Sequence, residues 1–481
     1  MKNDYSRALL LASNVTSCGT DLFTHLTGQI VAVSVDVGLP GGFLTARVLI
    51  TTLRRLPIQI VLITRTLTSA AVDALRIASA SVDPKRPLKT EECAPANALR
   101  VHIGLTAERG VIRAIPERHG AHIVRDDREL VVAPASPLGS VFAAATVAAE
   151  AFKYVASVRP SRMNNPVHMA FCPVSLTSRP GDTPALVMPF RVEGALVGLG
   201  AIGTGTALVL GEMSTRGRIS LVDQQKFGSE NVATYSLGGA PDVDEDTWKT
   251  ELAARALPDA LSQPYNMSAA KFVELVDRRE IPAPRIVLAG LDNVEARHEV
   301  QRLWPDTLLD GATGDTMLGL HAIKGAEGPC VMCFLPRQVS SASPLEEIAR
   351  VTGLPIRRLA EGDDVLREED LHTLGDEQQR RLQKLVGRQI CGLADTLGLT
   401  NLPTTDGFQP SVPFVSLQSS CLIVGRLMAE ALGVRPNSTF VQYDALFGPT
   451  MATIEQRRPL VLCYCQQRKT TVRAVRAQRL A

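Results

Sequence analysis

The residues of this 481-residue chain best equipped for chemistry are thiols and carboxylates placed at the ends of apolar runs. Cys330 and Cys333 in GPCVMCFLP form a CxxC pair, and Cys463 and Cys465 in VLCYC form a second close pair far downstream. Four thiolates from two such pairs would close a structural zinc site, although the CxC spacing is tighter than usual and two separate buried pairs are the alternative. Asp223 ends the run RISLVD, where a carboxylate can accept hydrogen bonds from ribose hydroxyls. Asp292 ends RIVLAGLD, where it can hold Mg²⁺ against nucleotide phosphates or cap the helix that follows. Lys249 opens the helical pattern TWKTELAARAL and is either a point charge for phosphate or a surface lysine. Cys391, in RQICGLADTLGLTNLPTTDG, lies away from both pairs and is either a nucleophilic thiolate or an inert apolar filler. Cys421 lies inside the apolar LQSSCLIVGRL and is expected in the core, while Cys18, Cys93 and Cys172 have no evident partners.

Such residues need a scaffold that brings strand ends together. In ALVGLGAIGTGTALVLG the glycines Gly198, Gly200 and Gly203 follow a strand pattern and open a helix, so backbone amides can approach a phosphate. With Asp223 alone, a nicotinamide dinucleotide and ATP fit equally well. Strands are expected at QIVAVSVDVG, IQIVLIT, RVHIGLT, ALVGLG, RISLVD and RIVLAGLD, alternating with helices, which implies parallel sheets covered on both faces. The first three strands resemble the last three, and each half closes with a similar helix, SPLGSVFAAATVAAEAFKYV and then SVPFVSLQSSCLIVGRLMAEALGV. Thr64 stands where the second copy has Asp223, and Thr106 where it has Asp292. A neutral threonine cannot anchor a metal ion or a ribose as a carboxylate does. The first copy is therefore expected to be a degenerate partner; two unrelated folds with convergent strands are the alternative.

Composition bounds the partners. With 45% hydrophobic and 21% charged residues, a net charge of +2 and a pI near 8.1, the chain has the make-up of a globular protein without a large basic field, so no nucleic-acid partner is expected. The N-terminal ALLLA run is too short for a signal peptide and no membrane segment is expected. Nine cysteines without secretory features suit a reducing cytoplasm. The Pro/Ser/Asn-rich stretch 161–189 reads as a linker between residues 1–160 and the second copy, which begins at 190. A charged, helical insertion interrupts that copy over 336–404, and QQRKTTVRAVRAQRLA ends the chain as a basic tail over 468–481, either solvated or docked on a partner.

With these motifs in order, the second half resembles the adenylation domain shared by ubiquitin-activating enzymes and the bacterial ThiF and MoeB adenylyltransferases. The likeness covers most of 190–335 and 405–465: the glycine turn, LVDQQKFGSENV, the Trp-Lys of DEDTWKTELAARAL, GLDNVEAR, GPCVMC and the last cysteine pair. It implies an α/β fold of two Rossmann-like adenylation domains in tandem, inactive over 1–160 and active over 190–335 and 405–467, with a crossover insertion carrying the catalytic Cys391. It also implies that Gly198, Gly200, Gly203, Asp223, Asn231, Lys249, Asp292 and Asn293 bind ATP and Mg²⁺, and that Cys330, Cys333, Cys463 and Cys465 hold Zn²⁺. DYSRALLL supplies Tyr5, Ser6 and Arg7, similar to a signature whose arginine reaches the partner domain's ATP site. The implied reaction is activation of the C-terminal carboxylate of a ubiquitin-like protein by adenylation, thioester formation on Cys391 and transfer to a conjugating-enzyme homologue. Such systems occur among bacterial defence loci, and a homodimer is compatible with the resemblance. Thr234 stands near where the family usually has an arginine, and Gln225 where it has a second acidic residue. A sulfur-carrier adenylyltransferase and a nicotinamide-dependent oxidoreductase are the rival readings.

Overall fold

A computed structural model describes residues 5–16, 21–107, 110–336, 344–359, 365–387, 390, 412–434 and 436–480. The chain divides into two compact units, Met1–Pro336 with Ser411–Ala481, and Arg337–Pro410.

The described residues of the larger unit build two sheets. The first contains β1 (Ile30–Val35), β2 (Gln59–Ile63), β3 (Lys89–Glu91), β4 (Leu99–Ile103), β5 (Val111–Glu117), β6 (Gly120–Val124) and β7 (His168–Phe171), in the order β3-β2-β1-β4-β5-β6-β7. The second contains β8 (Gly194–Val197), β9 (Arg218–Asp223), β10 (Leu261–Asn266), β11 (Ile286–Ala289), β12 (Thr307–Gly314), β13 (Met317–Lys324), β14 (Phe440–Asp444) and β15 (Thr453–Glu455), in the order β10-β9-β8-β11-β12-β13-β14-β15. Strand for strand, the second order repeats the first, with β15 added at its edge. The protein is thus α/β, with two Rossmann-like domains in tandem.

Neither sheet is wholly parallel, as the strand pattern had implied. In each, five neighbouring strands run parallel and every further strand pairs antiparallel with the one before it. Two-residue turns enforce the reversal, since so short a loop joins only antiparallel neighbours. Arg118 at φ 45° starts the turn between β5 and β6, and Asp315 at φ 51° starts the turn between β12 and β13. The stretch 161–189, read as a linker, contributes β7, which pairs with β6.

The two halves share one core. The closing helices Pro137–Val155 and Pro413–Ala431 pack on each other and on the helix Ala201–Glu212, and almost every residue of the two is buried. Ser136 caps the first through the Gly139 amide, and Pro137 occupies the first helical position, where its missing N–H costs nothing. This helix is long and apolar enough to cross a membrane by length and composition, yet 94% of that window is buried inside the protein. A helix apolar on all sides belongs in a core, and here it lies between the two sheets. The Phe152 and Phe414 rings are 5.3 Å apart, and Gln418 accepts from the Tyr443 hydroxyl at 3.0 Å while donating to the Ala145 carbonyl. Within the same helix, Lys153 donates to Glu150 at 2.5 Å, and Arg125 pairs with Glu150 from β6's end.

The basic C-terminal stretch forms the helix Lys469–Leu480 and lies on carboxylates of its own chain. Lys469 and Arg473 reach Glu327 at 2.9 and 2.7 Å, Arg476 pairs with Asp306 and Arg479 with Asp277. In the smaller unit the helices Pro344–Thr352, Ile356–Leu359 and Asp376–Leu382 surround Ile348, Leu354, Leu366 and Leu371. There Arg358 lies 2.7 Å from Asp370 and, through that hydrogen bond, holds its carboxyl below the usual range. Cys391 and Cys18 fall outside the described residues.

Candidate nucleotide site and cysteine cluster

In the second sheet the strand order reverses between β8 and β11, where open α/β sheets form a crevice for ligands. The glycine turn leaves β8 there. Gly198 has φ 80°, and a Cβ on it would lie 2.7 Å from Leu291 and 2.9 Å from the Gly290 carbonyl. A Cβ on Gly203 would lie 2.0 Å from the Gly198 carbonyl, so this residue lets the helix approach the strand. Gly200 differs: a Cβ there meets nothing closer than 3.7 Å and its φ is −69°. The protein's own packing does not require glycine at that position; close approach of a ligand would.

Asp223 braces the turn. One carboxylate oxygen accepts from the Leu199 amide at 2.7 Å and the other from the Gln225 amide at 2.8 Å. The helix Ala201–Glu212 has no side-chain cap, which leaves its first-turn amides and positive dipole end at the end of β8 without a side-chain acceptor.

Lys249, at the start of the helix Lys249–Ala256, is only 3% exposed. Its ammonium donates to the Gln225 side-chain oxygen at 2.6 Å and lies 5.1 Å from the centre of the Tyr235 ring. Burial pulls its pKa below the ordinary lysine value, against the charges of Asp223, Glu230 and Asp292, while Arg7 adds to the lowering. Burial, with the same three carboxylates, pushes the Tyr235 phenol up against the opposing pull of Arg7. The charge of Arg7, on the helix Ser6–Val15 of the first half, thus acts on two residues of the second half.

Asp292 is exposed three residues past β11, with one oxygen accepting from Asn293 at 3.1 Å. Asn293, not Asp292, caps the helix Val294–Gln301, through the Ala296 amide at 2.7 Å. The capping alternative for Asp292 is thereby removed, and an exposed carboxylate is a donor of a kind that suits Mg²⁺. Arg297, last in GLDNVEAR, donates to the Leu291 carbonyl at 3.1 and 2.6 Å and to Asp310 at 3.1 Å, fixing the loop that presents Asp292. Asn231 is buried, and its side-chain oxygen accepts from the Gly228 amide at 2.9 Å. It shapes the turn preceding Tyr235, whose amide donates to the Asn231 carbonyl at 2.9 Å.

Sequence reasoning singled out Thr234, which is fully buried, and passed over Tyr235 beside it. An aromatic residue three positions after the SENV-like segment was the available signal. The corresponding cleft of the first half is lined differently among the described residues. Thr64 directly follows β2 and Thr106 lies three residues past β4, and the cleft there, about 330 Å³, is lined by Asp36, Leu39, Pro40, Leu105 and Pro134 with no cation. A phosphate would meet a carboxylate in it.

Far along the chain, the four cysteines converge. Cys330 precedes the short helix Val331–Phe334 that carries Cys333, and Cys463 precedes the helix Tyr464–Gln467 that carries Cys465. Sulfur–sulfur distances are 3.8 Å for Cys330–Cys333, 3.5 Å for Cys330–Cys463 and 3.6 Å for Cys333–Cys465, and all four atoms lie within 4.8 Å of one another. A tetrahedron with metal–sulfur bonds near 2.3 Å has edges of about 3.8 Å, so the arrangement fits one metal ion and is far too wide for disulfides. Burial raises the Cys330 thiol and pushes Cys463 up to about 11, whereas, despite burial, hydrogen bonds from the Leu460 and Cys330 backbone and from neighbouring thiols hold Cys333 below its ordinary value.

No family model matches the chain, and no curated protein matches it. Among solved structures, it is similar to E. coli MccB with MccA-N7isoASN, at 12% identity, a TM-score of 0.35, and coverage of 57% of this chain and 67% of that one. It is also similar to E. coli MccB with AMPCPP and selenomethionine MccA, at 11% identity, a TM-score of 0.36, and coverage of 57% and 66%. At these scores the likeness decides nothing; the class of protein is defined by the chain's own repeated strand order, an α/β protein of two Rossmann-like domains in tandem.

Proposed function

We propose that this protein is an ATP-dependent adenylyltransferase that activates the C-terminal carboxylate of a ubiquitin-like protein and then carries it as a thioester on Cys391. What supports this most is the buried Lys249 ammonium held on the neutral Gln225 amide, with Asp223 bracing the glycine turn ahead of an uncapped helix start and the charge of Arg7 from the other half acting on Lys249. A dinucleotide site does not call for two cations of that kind; a triphosphate does.

In this reading the first-turn amides of the helix Ala201–Glu212 cradle the phosphates, and Asp223 accepts from the ribose hydroxyls with its remaining lone pairs. A carboxylate oxygen of the substrate protein attacks the α-phosphorus, and the bond to the β-phosphate breaks with departure of pyrophosphate. Lys249 and Arg7 stabilise the charge that builds on the phosphate oxygens. Asp292 would hold Mg²⁺, whose chemistry there would be neutralisation of phosphate charge. The Cys391 thiolate then displaces AMP, and a conjugating-enzyme cysteine accepts the acyl group. Zn²⁺ at Cys330, Cys333, Cys463 and Cys465 would be structural. The setting is taken to be cytoplasmic, with a ubiquitin-like substrate and a conjugating-enzyme homologue as partners.

The test is exchange of labelled pyrophosphate into ATP with candidate ubiquitin-like proteins and with Cys391→Ala. Substrate-dependent exchange that survives Cys391→Ala, with loss of a thiol-sensitive protein adduct, supports both steps. An undiminished adduct removes the role of Cys391 and leaves a sulfur-carrier type of adenylyltransferase; absence of exchange with bound and turned-over NAD removes adenylation itself.

A further inference from the structure

The helix Gly42–Arg54 belongs to the half without a nucleotide site, yet the residue at its C-terminal end is directed wholly into the other half. Arg55 is 2% exposed. One terminal nitrogen donates to the Val232 carbonyl at 2.7 Å, and the other donates to the Ser236 carbonyl at 3.1 Å and the Gly238 carbonyl at 2.8 Å. The acid that acts on it, Asp242, is itself paired with Arg255 at 2.6 Å. A buried guanidinium held by carbonyl oxygens is an expensive way to fill space, because an apolar side chain of equal length would avoid its desolvation. What the guanidinium supplies is direction: planar donors aimed at several acceptors fix a loop's shape as no apolar contact can.

The loop so fixed carries Tyr235. Its ring faces the Lys249 ammonium at 5.1 Å and Phe227 at 5.6 Å, and its hydroxyl borders the glycine turn, 3.7 Å from where a Cβ on Gly200 would be. The same helix end also supports the other arm of the site. The Arg54 carbonyl accepts from Arg86, and the Arg86 guanidinium lies 5.2 Å from the Tyr5 ring centre, two residues before Arg7. The loop of Tyr235 and the start of the helix Ser6–Val15 are thus tied to adjacent residues, Arg55 and Arg54.

We infer that Arg55 is a positioning residue for the nucleotide, by which the half lacking a site sets the conformation of residues 232–238 and with it the place of Tyr235 against Lys249. This rests on the adenylation reading only for the identity of the nucleotide. The experiment uses the full chain with Arg55→Met, Arg55→Lys, and Leu53→Ala as a control for loss of packing in the same helix. Pyrophosphate exchange gives KM for ATP and kcat; amide hydrogen exchange reports residues 232–238; thermal melting reports the fold. Arg55→Met is expected to raise KM for ATP about tenfold and to speed exchange at 232–238, with Arg55→Lys between it and the parent. Leu53→Ala is expected to lower the melting temperature while leaving KM and the exchange of 232–238 near parent values. Unchanged KM in Arg55→Met, or a rise in Leu53→Ala that matches it, would overturn the inference. Should the parent show no pyrophosphate exchange, the adenylation reading has failed, and Arg55 is judged on hydrogen exchange alone. Loss of protection at 232–238 in Arg55→Met but not in Leu53→Ala then supports the role, and equal protection in both removes it.

Discussion

The Lys249 ammonium rests on the amide oxygen of Gln225, 2.6 Å away, where a carboxylate would have formed an ion pair. An amide satisfies the buried hydrogen-bond donor without neutralising its charge, so the cation stays available to an incoming phosphate.

Its depressed pKa sets a pH dependence. A phosphate favours charged Lys249, so nucleotide binding takes up protons, and affinity declines as pH rises through the depressed value, below the roughly 10.4 of an ordinary lysine. The folding linkage has the opposite slope: charged Lys249 costs stability below its folded pKa, and that cost fades as pH rises toward the unfolded value. Calorimetric titration of MgATP between neutral pH and pH 10, in buffers of differing ionisation heat, checks the uptake. Lys249→Arg should flatten the pH profile, and Lys249→Ala should weaken binding at least about tenfold.

Two glycines of the same turn should respond differently to alanine. Gly203→Ala forces a Cβ against the Gly198 carbonyl and is expected to lose about 1–3 kcal/mol of stability. Gly200→Ala has room in the protein and should melt within about 0.5 kcal/mol of the parent, while losing nucleotide affinity because the backbone can no longer approach a phosphate. Urea denaturation together with ATP titration separates the two; equal affinity in Gly200→Ala and the parent would move the phosphates away from this turn.

The cysteine cluster should hold one zinc per chain by elemental analysis, released by a strong chelator. Trp304 packs in the same cluster, so its fluorescence should change as the metal leaves, and Cys463→Ser should lower both metal content and melting temperature. A chain that melts identically with and without chelator would argue for four plain thiols.

Glu150 is 1% exposed between Lys153 and Arg125, in the helix that joins the halves. Glu150→Gln leaves two cations beside a neutral amide in the core and should cost about 3–5 kcal/mol. Replacing Glu150 and Lys153 together by Leu and Met should cost less than the sum of the single changes, which a double-mutant cycle in urea measures.

The strands most legible in the sequence were β1, β2, β4, β8, β9 and β11. They are interior strands, each with a largely buried run of aliphatic residues or, in β4, apolar residues alternating with Arg100 and His102. The edge strands β3 and β10 were not, since their mostly exposed residues carry no such run and β10 includes Pro264. The antiparallel returns depended on two-residue turns inside apolar stretches, and β7 lay in a segment whose prolines and asparagines read as a connection.

By itself the sequence determined the repeat, the glycine turn, and the identities and order of Asp223, Lys249, Asp292 and the four cysteines, because strand ends and turn chemistry follow from neighbours within a few residues. Tertiary structure alone decided that Asn293 caps the helix in place of Asp292, that Gln225 holds Lys249, and that the basic tail is paired within its own chain. It alone brought Arg55 to a carbonyl 177 positions away. Periodicity is a short-range signal, whereas a fully buried guanidinium is placed by the packing of two domains whose shared core no local pattern describes.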